Sequence, residues 1–240
     1  QLGDIFVHDM RSLGVDVRLP AAPGGAATAR SHILISANGQ RTMQTYLGAC
    51  TELGVADVTP QTVGTPAIAL LEGYVWDIAE GPALAAQAER LVHDGGGRVA
   101  LSLSDSFCVQ RHQAAFAGLV RDSVDIVFAD EDEIVALLEL DAFDSVPDLV
   151  AATGKLFVMT RSEKGSVIVK GKERIVQPAM AVDKLVDTTG AGDAYTAGFV
   201  YGLANDRSLE ECARLGTWCA ITVIQQVGAR IPAGTLRNFA

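Results

Sequence analysis

Short apolar runs alternate with longer stretches of helical periodicity from residue 60 onward. The apolar runs show little alternation of apolar and polar residues, as expected for strands that are buried on both faces of a sheet. They span residues 67–71, 99–103, 126–129 and 157–160, and the helical patterns between them span 82–93, 107–121 and 131–140. Strands that alternate with helices predict a parallel sheet covered by helices on both sides.

The pattern changes after residue 164. Residues 165–169 and 174–177 are typical of strands, and the turn residues at 170–172 between them predict an antiparallel hairpin. Two helical patterns follow, at 192–204 and 209–225. The first is apolar on nearly every side, so we expect that helix to be buried. Together these elements predict a three-layer α/β/α sandwich with a mostly parallel sheet.

The first 50 residues follow neither pattern. A helical stretch ends at Gly14, and β-prone runs at 15–19, 32–36 and 41–46 follow, with Asn38-Gly39 between the last two. Asn-Gly between two such runs is a strong hairpin signal. Two interpretations remain open: a small sheet that stands away from the main body as a lid, or a hairpin at the edge of the main sheet. We assign residues 15–49 to a lid and residues 1–14 and 50–240 to one α/β domain, which is large enough for a substantial core.

Composition and charge narrow the choice of partners. Hydrophobic residues make up 49% of the chain and charged residues 20%, and the formal net charge is -10. This charge disfavours nucleic acid and anionic membranes as partners, and an anionic ligand would need backbone N–H groups, metal ions or local basic residues. There is no signal-peptide pattern and no apolar run of about 18 residues, which favours a cytoplasmic protein. The cysteines form no CxxC pair and are interpreted as core thiols.

The most informative segment is VDTTGAGDAY at residues 186–195, where a loop leads into the predicted buried helix. Gly190 and Gly192 permit backbone conformations and a close ligand approach that other residues prevent. Their N–H groups, with that of Ala191, are expected to point out of the helix N-terminus. Unpaired donors and the positive end of the helix dipole bind anions at such a terminus. In an acidic protein, this is a candidate site for a phosphoryl group.

Asp193 lies in the first turn of the same helix. One interpretation is an acid that interacts with the helix dipole, worth about 0.3–1 kcal/mol. The other is a general base, because a carboxylate beside an anion-binding loop can accept a proton from an incoming hydroxyl. A weak base suffices, since phosphoryl transfer depends mainly on positioning. Two other nucleotide motifs do not fit: Tyr195 stands where GxGxxG requires glycine, and no GK[ST] sequence follows the glycines.

The segment DTTGAGDAYTAGF resembles the C-terminal signature of the ribokinase family, also called the PfkB carbohydrate kinases, which includes adenosine kinases. Other segments resemble motifs of that family in the same order. FADEDE at 128–133 resembles NxxE, TRSEKG at 160–165 resembles TxGxxG, and GAR at 228–230 resembles the loop that closes around adenine and a monovalent cation. The hairpin predicted at 15–46 is similar to the substrate lid of the family. The resemblance implies a ribokinase-like fold with this small β lid.

The resemblance also implies roles for individual residues. Asp193 would be the catalytic base and also touch the substrate, and Gly190, Ala191 and Gly192 would form the anion hole. Glu133 would hold Mg²⁺, largely through water. The nucleotide would be bordered by Thr160, Gly165, Asp130 and Gly228. Carbonyl oxygens of Asp187 and Thr189 would bind a monovalent cation, with K⁺ as the candidate. Glu72 matches a position that contacts the sugar in some members, so it would contact the acceptor substrate.

Simpler interpretations exist for some of these acids, and the chain departs from the family pattern. Asp130 and Glu133 are also typical of a helix N-terminal acid cluster, and Glu72 of a solvated strand end. Asp130 stands where NxxE has Asn, and Ser162 stands where TxGxxG has glycine. The first strand of the family, with its substrate-binding Asp, and the Gly-Gly-xxx-Asn loop have no counterpart. We therefore expect further residues of the protein to precede Gln1.

These observations predict an ATP- and Mg²⁺-dependent kinase that phosphorylates a hydroxymethyl group of a nucleoside, with adenosine favoured. A ribose- or fructose-type sugar kinase is the alternative. A regulatory relative that binds nucleotide without turnover is a third possibility, and the presence of Asp193 argues against it. The expected partners are ATP and a small-molecule substrate, without nucleic acid or membrane. The protein is expected to be a monomer or a homodimer.

Overall fold

The structure is a computed structural model that describes residues 2–22, 24–232 and 235. The strands are β1 (Arg30–Ile35), β2 (Arg41–Tyr46), β3 (Ile68–Glu72), β4 (Arg98–Ser102), β5 (Ile126–Asp130), β6 (Leu156–Thr160), β7 (Ser166–Lys170) and β8 (Glu173–Gln177). The helices are α1 (Leu2–Ser12), α2 (Pro60–Val63), α3 (Gly81–Asp94), α4 (Ser106–Asp122), α5 (Glu131–Leu137), α6 (Val146–Ala151), α7 (Ala191–Ala204) and α8 (Leu209–Val223). None of these helices is long and apolar enough to cross a lipid bilayer.

The main sheet has the strand order β3-β4-β5-β6-β7-β8. The pairs from β3 to β6 are parallel, and β6–β7 and β7–β8 are antiparallel, so the mostly parallel sheet predicted from the sequence is confirmed. Glu72 pairs with Ser102, and Asp130 pairs with Thr160. The carboxyl ends of the parallel strands therefore meet at one edge of the sheet, where α/β folds bind ligands.

Neighbouring residues of β4 enter different hydrophobic cores. Val99 and Leu101 pack with residues of α3, α4, α5 and α6, whereas Ala100 packs with Phe128 of β5 and Phe199 of α7. Successive side chains of a strand point to opposite faces, so this alternation places helices on both sides of the sheet. Phe199 is fully buried, but Tyr201 is 63% exposed and Ala197 is exposed as well, so α7 buries only one face and the prediction of a buried helix is wrong for its other face. The result is the predicted three-layer sandwich.

The helices α7 and α8 approach each other closely. A Cβ atom added to Gly202 would lie 2.7 Å from Sγ of Cys212, and one added to Gly198 would lie 2.7 Å from the carbonyl oxygen of Leu215. Glycine therefore leaves the room that the facing helix occupies. Cys212 and Cys219 are both buried in this contact and Cys108 is buried elsewhere, as predicted for core thiols, whereas Cys50 is exposed, so the prediction is wrong for Cys50. Close packing of this kind leaves α7 little freedom to shift, and its first turn carries Asp193.

Strands β1 and β2 form a separate two-stranded antiparallel sheet. The interpretation of this segment as a hairpin at the edge of the main sheet is therefore wrong, and its interpretation as a small separate sheet is confirmed. The strand predicted at residues 15–19 is absent. The N–H group of Val15 instead donates to the carbonyl of Met10, where the chain leaves α1. Pro20 also disfavours continuation, because proline lacks an N–H group for a strand ladder.

Two short helices and one helix end were not foreseen. Helices α2 and α6 have only 4 and 6 residues, too few to show a clear helical period. Helix α5 was predicted to extend to residue 140 but ends at Leu137. Glu139 has a φ of 53°, the left-handed conformation that commonly closes a helix. Glycine usually occupies such a position, so a glutamate gave no signal in the sequence.

Candidate active site

Gly190 precedes α7 as its N-cap and has φ 78° and ψ 10°. A Cβ atom there would be strained and would also lie 2.8 Å from Cβ of Ala229 and 2.9 Å from its carbonyl oxygen. Glycine offers no side-chain oxygen to cap the helix. The amides of Gly190 and Gly192 donate to no described residue, whereas the Ala191 amide lies 3.3 Å from the carbonyl oxygen of Thr188. The start of α7 thus presents unpaired donors at the positive end of the helix dipole.

Asp193 lies in the first turn of α7 and lines a cleft of about 330 Å³. The cleft is at the carboxyl ends of β3 and β4, and its lining includes Glu72, Ser102 and Thr196. The Glu72 carboxyl is half-buried, and burial raises its pKa, with a further contribution from the charge of Asp193. The structure therefore brings Asp193 and Glu72 together, one on α7 and the other on the main sheet. This arrangement places two acceptors for hydroxyl groups in one cleft, and Asp193 directly follows Gly192 in the chain.

Asp187 braces the loop that leads into α7. This residue is 1% exposed, and its two carboxylate oxygens accept hydrogen bonds from the amides of Thr189 and Gly228, both at 2.9 Å. Hydrogen bonding by Thr189 holds the pKa of Asp187 below its usual range. One buried carboxylate thus joins the glycine loop to the segment near residue 228. The structure places Asp187, Thr189 and Gly228 side by side, although Gly228 is distant from the other two in sequence.

Asp130 and Glu133 cap helix α5 reciprocally. The Asp130 side chain accepts a hydrogen bond from the Glu133 amide, and the Glu133 side chain accepts one from the Asp130 amide, both at 2.8 Å. This is a capping box, as the interpretation of a helix N-terminal acid cluster implies. Glu133 is 7% exposed, and its burial, together with the nearby charge of Asp130, raises its pKa to about 8.

The raised pKa of Glu133 predicts a pH-dependent stability. The folded protein holds the Glu133 proton more tightly than the unfolded chain does. The stability that this proton contributes is therefore fully present below pH 4.5 and is lost as the pH rises towards about 8. In EDTA, we expect the Tm of the wild type to fall between pH 5 and pH 8. Glu133→Gln should flatten this dependence, because an amide oxygen can still accept the capping bond. A loss of 1 kcal/mol corresponds to roughly 2–4 °C for a domain of this size.

The control for this prediction is Glu211→Gln, which changes an equivalent capping-box acid on α8. Glu211 accepts from the Ser208 amide at 3.0 Å, and that contact lowers its pKa. Stability from Glu211 should therefore be present above pH 4.5 and be lost in acid, the opposite direction. Equal slopes between pH 5 and pH 8 for wild type and Glu133→Gln would contradict the prediction.

Thr160 and Gly165 border a tight turn between β6 and β7. Thr160 pairs directly with Asp130 of β5, so the two side-by-side strand ends carry both residues. The amide of Arg161 donates to the carbonyl of Gly165 at 2.8 Å. Ser162, which stands where the related motif has glycine, has a φ of 50°. The backbone conformation that glycine favours is thus retained with serine in its place, at a cost of about 1–2 kcal/mol.

Sequence reasoning missed Arg41, the first residue of β2. Its Nη1 atom donates to Oγ1 of Thr188 at 3.0 Å, and the Thr188 amide donates to the carbonyl of Gly39 at 3.3 Å. The turn of the two-stranded sheet therefore contacts the loop that precedes the glycines, and it brings a positive charge there. Arg41 and Thr188 are 147 residues apart, so no local sequence pattern predicts their contact.

Another cluster of polar side chains follows β3. Ligand atoms of Asp77, Cys108 and His112 all lie within 4.8 Å of one another. Arg111, however, occupies both oxygens of Asp77, with its Nε and Nη2 atoms at 3.0 and 2.6 Å. The carboxylate is therefore already satisfied, and the cluster ties α4 to the turn after β3. The sequence had given Cys108 and His112 no joint role, although they are one helical turn apart.

Comparison with known proteins identifies the family. The model of the pfkB family carbohydrate kinases matches residues 1–236. Adenosine kinase from Sinorhizobium meliloti is 45% identical and superimposes with a TM-score of 0.95 over 100% of this chain and 75% of the other. A probable sugar kinase from Rhizobium etli is 43% identical, also with a TM-score of 0.95, over 100% of this chain and 73% of the other.

Curated relatives match a shorter region. Cytidine kinase from Thermococcus kodakarensis is 39% identical over 108 residues, which are 44% of this chain and 38% of that protein. The chain thus spans about two fifths of the length of that relative. The family match over nearly all of the chain, together with the close structural relatives, bears out the resemblance drawn from the motifs. The chain belongs to the pfkB family of carbohydrate kinases.

Proposed function

We propose that the protein is an ATP-dependent kinase that transfers the γ-phosphoryl group to a hydroxyl of a nucleoside or sugar. The observation that carries this proposal is the position of Asp193, which lines a cleft at the start of a helix whose glycine amides are unpaired. A proton acceptor and an anion site are then within one turn of helix. Membership of a kinase family supports the same conclusion.

The mechanism follows from this arrangement. The acceptor hydroxyl lies in the cleft and gives its proton to the Asp193 carboxylate as its oxygen attacks the γ-phosphorus of ATP. The bond between that phosphorus and the β–γ bridging oxygen breaks, and ADP leaves. The amides of Gly190 and Gly192 stabilise the negative charge on the transferring group. Because the transition state of phosphoryl transfer is loose, alignment of the two substrates contributes more than the strength of the base.

The residues near the β5 and β6 strand ends suit Mg²⁺ and nucleotide. Mg²⁺ prefers oxygen ligands and keeps several waters, and Asp130 and Glu133 offer carboxylate oxygens. Bound Mg²⁺ would offset phosphate charge and favour the ionised form of Glu133. Thr160 and Gly165 border the nucleotide from the neighbouring turn, and Gly228 borders it from the loop tied to Asp187.

The loop before α7 also suits a monovalent cation. The carbonyl oxygens of Asp187 and Thr189 accept no hydrogen bond from a described residue. Oγ1 of Thr189 is buried and has no hydrogen-bond partner among those residues. Unpaired oxygens in a buried loop favour an ion with oxygen ligands, and K⁺ is the ion we propose.

Adenosine is the acceptor we favour, and a sugar such as ribose or fructose is the second candidate. Relatives named adenosine kinase and probable sugar kinase resemble the chain almost equally. The test is a screen with ATP, Mg²⁺ and K⁺ against adenosine, cytidine, ribose and fructose, with product detected by mass spectrometry. Phosphorylated product from at least one acceptor supports the proposal. ATP binding without product from any of them would instead favour a regulatory protein.

Arg41→Ala is expected to reduce kcat/KM for ATP by about 10- to 100-fold, the value of a hydrogen bond to a charged group. The change removes both the contact with Thr188 and a positive charge beside the anion site. The matched control is Arg30→Ala, because Arg30 lies on the same small sheet but stacks on Tyr46, with Cζ 4.9 Å from the ring centroid. Steady-state kinetics should show a change of less than about twofold for Arg30→Ala. Equal effects of both substitutions would show that general charge, rather than the Thr188 contact, matters.

A further inference from the structure

Ser104 follows β4 in a backbone conformation that residues with side chains rarely adopt, with a φ of 76°. Such a conformation is strained and persists only where the surroundings enforce it. Here the Leu103 amide donates to the carbonyl of Phe128, and the Asp105 amide donates to the carbonyl of Leu103, both at 3.0 Å. Asp105 is also fixed, because its side chain caps α4 by accepting from the Cys108 amide at 2.6 Å. Both sides of Ser104 are therefore held in place.

This conformation directs the Ser104 hydroxyl to the carboxylate of Glu72. The hydroxyl donates to Oε1 of Glu72 across the ends of β3 and β4. A Cβ atom added to Gly73 would lie 2.8 Å from the Ser104 oxygen. Glycine at 73 thus leaves the space that the hydroxyl occupies. The backbone conformation of Ser104, the carboxylate of Glu72 and the absence of a side chain at Gly73 are therefore all compatible with this one hydrogen bond.

Glu72 in turn faces the cleft that Asp193 lines. Burial raises the pKa of Glu72, the Ser104 hydroxyl opposes that rise, and the charge of Asp193 adds to it. A carboxylate in a half-buried cleft with a second acid nearby tends to take up a proton or turn away. An ionised carboxylate held in one orientation accepts hydrogen bonds from the hydroxyls of a polyol or nucleoside. The hydrogen bond from Ser104 therefore affects both the charge and the orientation with which the Glu72 carboxylate meets a substrate.

We infer that Ser104 is a positioning residue that holds the Glu72 carboxylate in the orientation with which it accepts a hydroxyl of the phosphoryl acceptor. The inference rests on the proposed function, because it assigns Glu72 to the acceptor side of that site. Ser104 itself contacts Glu72 rather than the reacting atoms. The acceptor class that fits is one with hydroxyls beside the reacting one, such as a ribose moiety.

Two substitutions separate the hydroxyl from the backbone strain. Ser104→Ala removes the hydroxyl and keeps a side chain at positive φ, whereas Ser104→Gly removes the hydroxyl and relieves the strain. Both are expected to raise KM for the acceptor about tenfold or more, since the hydrogen bond joins a charged group. KM for ATP and kcat should change by less than about threefold. Asp206→Ala is the matched control, because Asp206 also has a positive φ, 53°, but lies beyond the far end of α7.

A double-mutant cycle tests whether Ser104 acts through Glu72. In a Glu72→Gln background, Ser104→Ala should change KM for the acceptor by less than about twofold. An undiminished effect in that background would overturn the inference, as would an unchanged acceptor KM in both Ser104 variants.

Titration of the glutamate side chains by ¹³C NMR gives a readout that does not need turnover. With the Glu72 resonance assigned by Glu72→Gln, its pKa should rise in Ser104→Ala and Ser104→Gly, because each loses the opposing donor. An unchanged Glu72 pKa in both variants would overturn the inference. If the wild type phosphorylates none of the acceptors, the proposed function fails, and this titration still decides whether Ser104 controls Glu72.

Discussion

Replacing Asp193 with Asn is expected to lower kcat by about 10²–10⁴-fold, the usual contribution of a general base. Asparagine has almost the same shape as aspartate but cannot take the proton of the acceptor hydroxyl. Because Asp193 is exposed in the cleft, the substitution leaves no buried group unpaired, so the fold should be unaffected. Affinity for ATP should change by less than about threefold, since the glycine amides that we propose to bind phosphate remain.

The measurement is kcat with the acceptor found in the screen, alongside ATP affinity by calorimetry. Asp206→Asn is the matched control, since it makes the same chemical change just after the other end of α7 and should keep wild-type turnover. A wild-type kcat for Asp193→Asn would remove the general base from the mechanism. A large loss of ATP affinity would instead mean that Asp193 acts mainly on the nucleotide side.

Gly190→Ala is expected to reduce kcat by about 10²–10³-fold, the effect of losing one donor of an oxyanion-hole type. Two physical causes add together. Alanine is strained at a φ of 78°, and its Cβ atom would lie 2.8–3.0 Å from atoms of Ala229. The loop must therefore move away from residue 229, and the amides at the start of α7 lose their alignment with the transferring group.

Gly154→Ala is the control that separates the effect of backbone strain from the effect of a Cβ atom at the start of α7. Gly154 also has a positive φ, 71°, but a Cβ atom there would meet nothing within 4 Å. It should lose some thermal stability and keep wild-type kcat, whereas Gly190→Ala should lose kcat even where circular dichroism shows it fully folded. Turnover within about threefold of wild type for folded Gly190→Ala would show that the loop does not stabilise transferred charge.

The sequence predicted those parts of the molecule that depend on local pattern. Unbroken apolar runs identified strands β3 to β6, although Leu70 of the edge strand β3 is 45% exposed. The segment that is apolar on nearly every side identified helix α7, although only one of its faces is buried. The spacing of Asp130 and Glu133 was compatible with a capping box, which is local by nature. The glycine loop could be recognised for the same reason, because residues 187–193 are adjacent in the chain.

What could not be predicted depends on contacts between distant residues. The approach of Arg41 to Thr188 arises from the folding of a separate hairpin onto the loop, and no periodicity encodes it. The strained conformation of Ser104 is likewise set by neighbours on β5 and α4 rather than by its own residue type. Residues 15–19 show the converse case, because β-prone side chains do not make a strand where the backbone has no partner.

The close contact between α7 and α8 contains two cysteines whose reactivity can report on separation of the two helices. Cys212 and Cys219 are buried where the two helices meet, and burial raises the pKa of the Cys212 thiol to about 11. Thiol reagents require an exposed thiolate, so these side chains can be modified only when the helices separate. With exposed Cys50 and the α4 residue Cys108 both replaced by Ser, the rate of alkylation would measure how often the segment that carries Asp193 opens, and whether bound nucleotide keeps it closed.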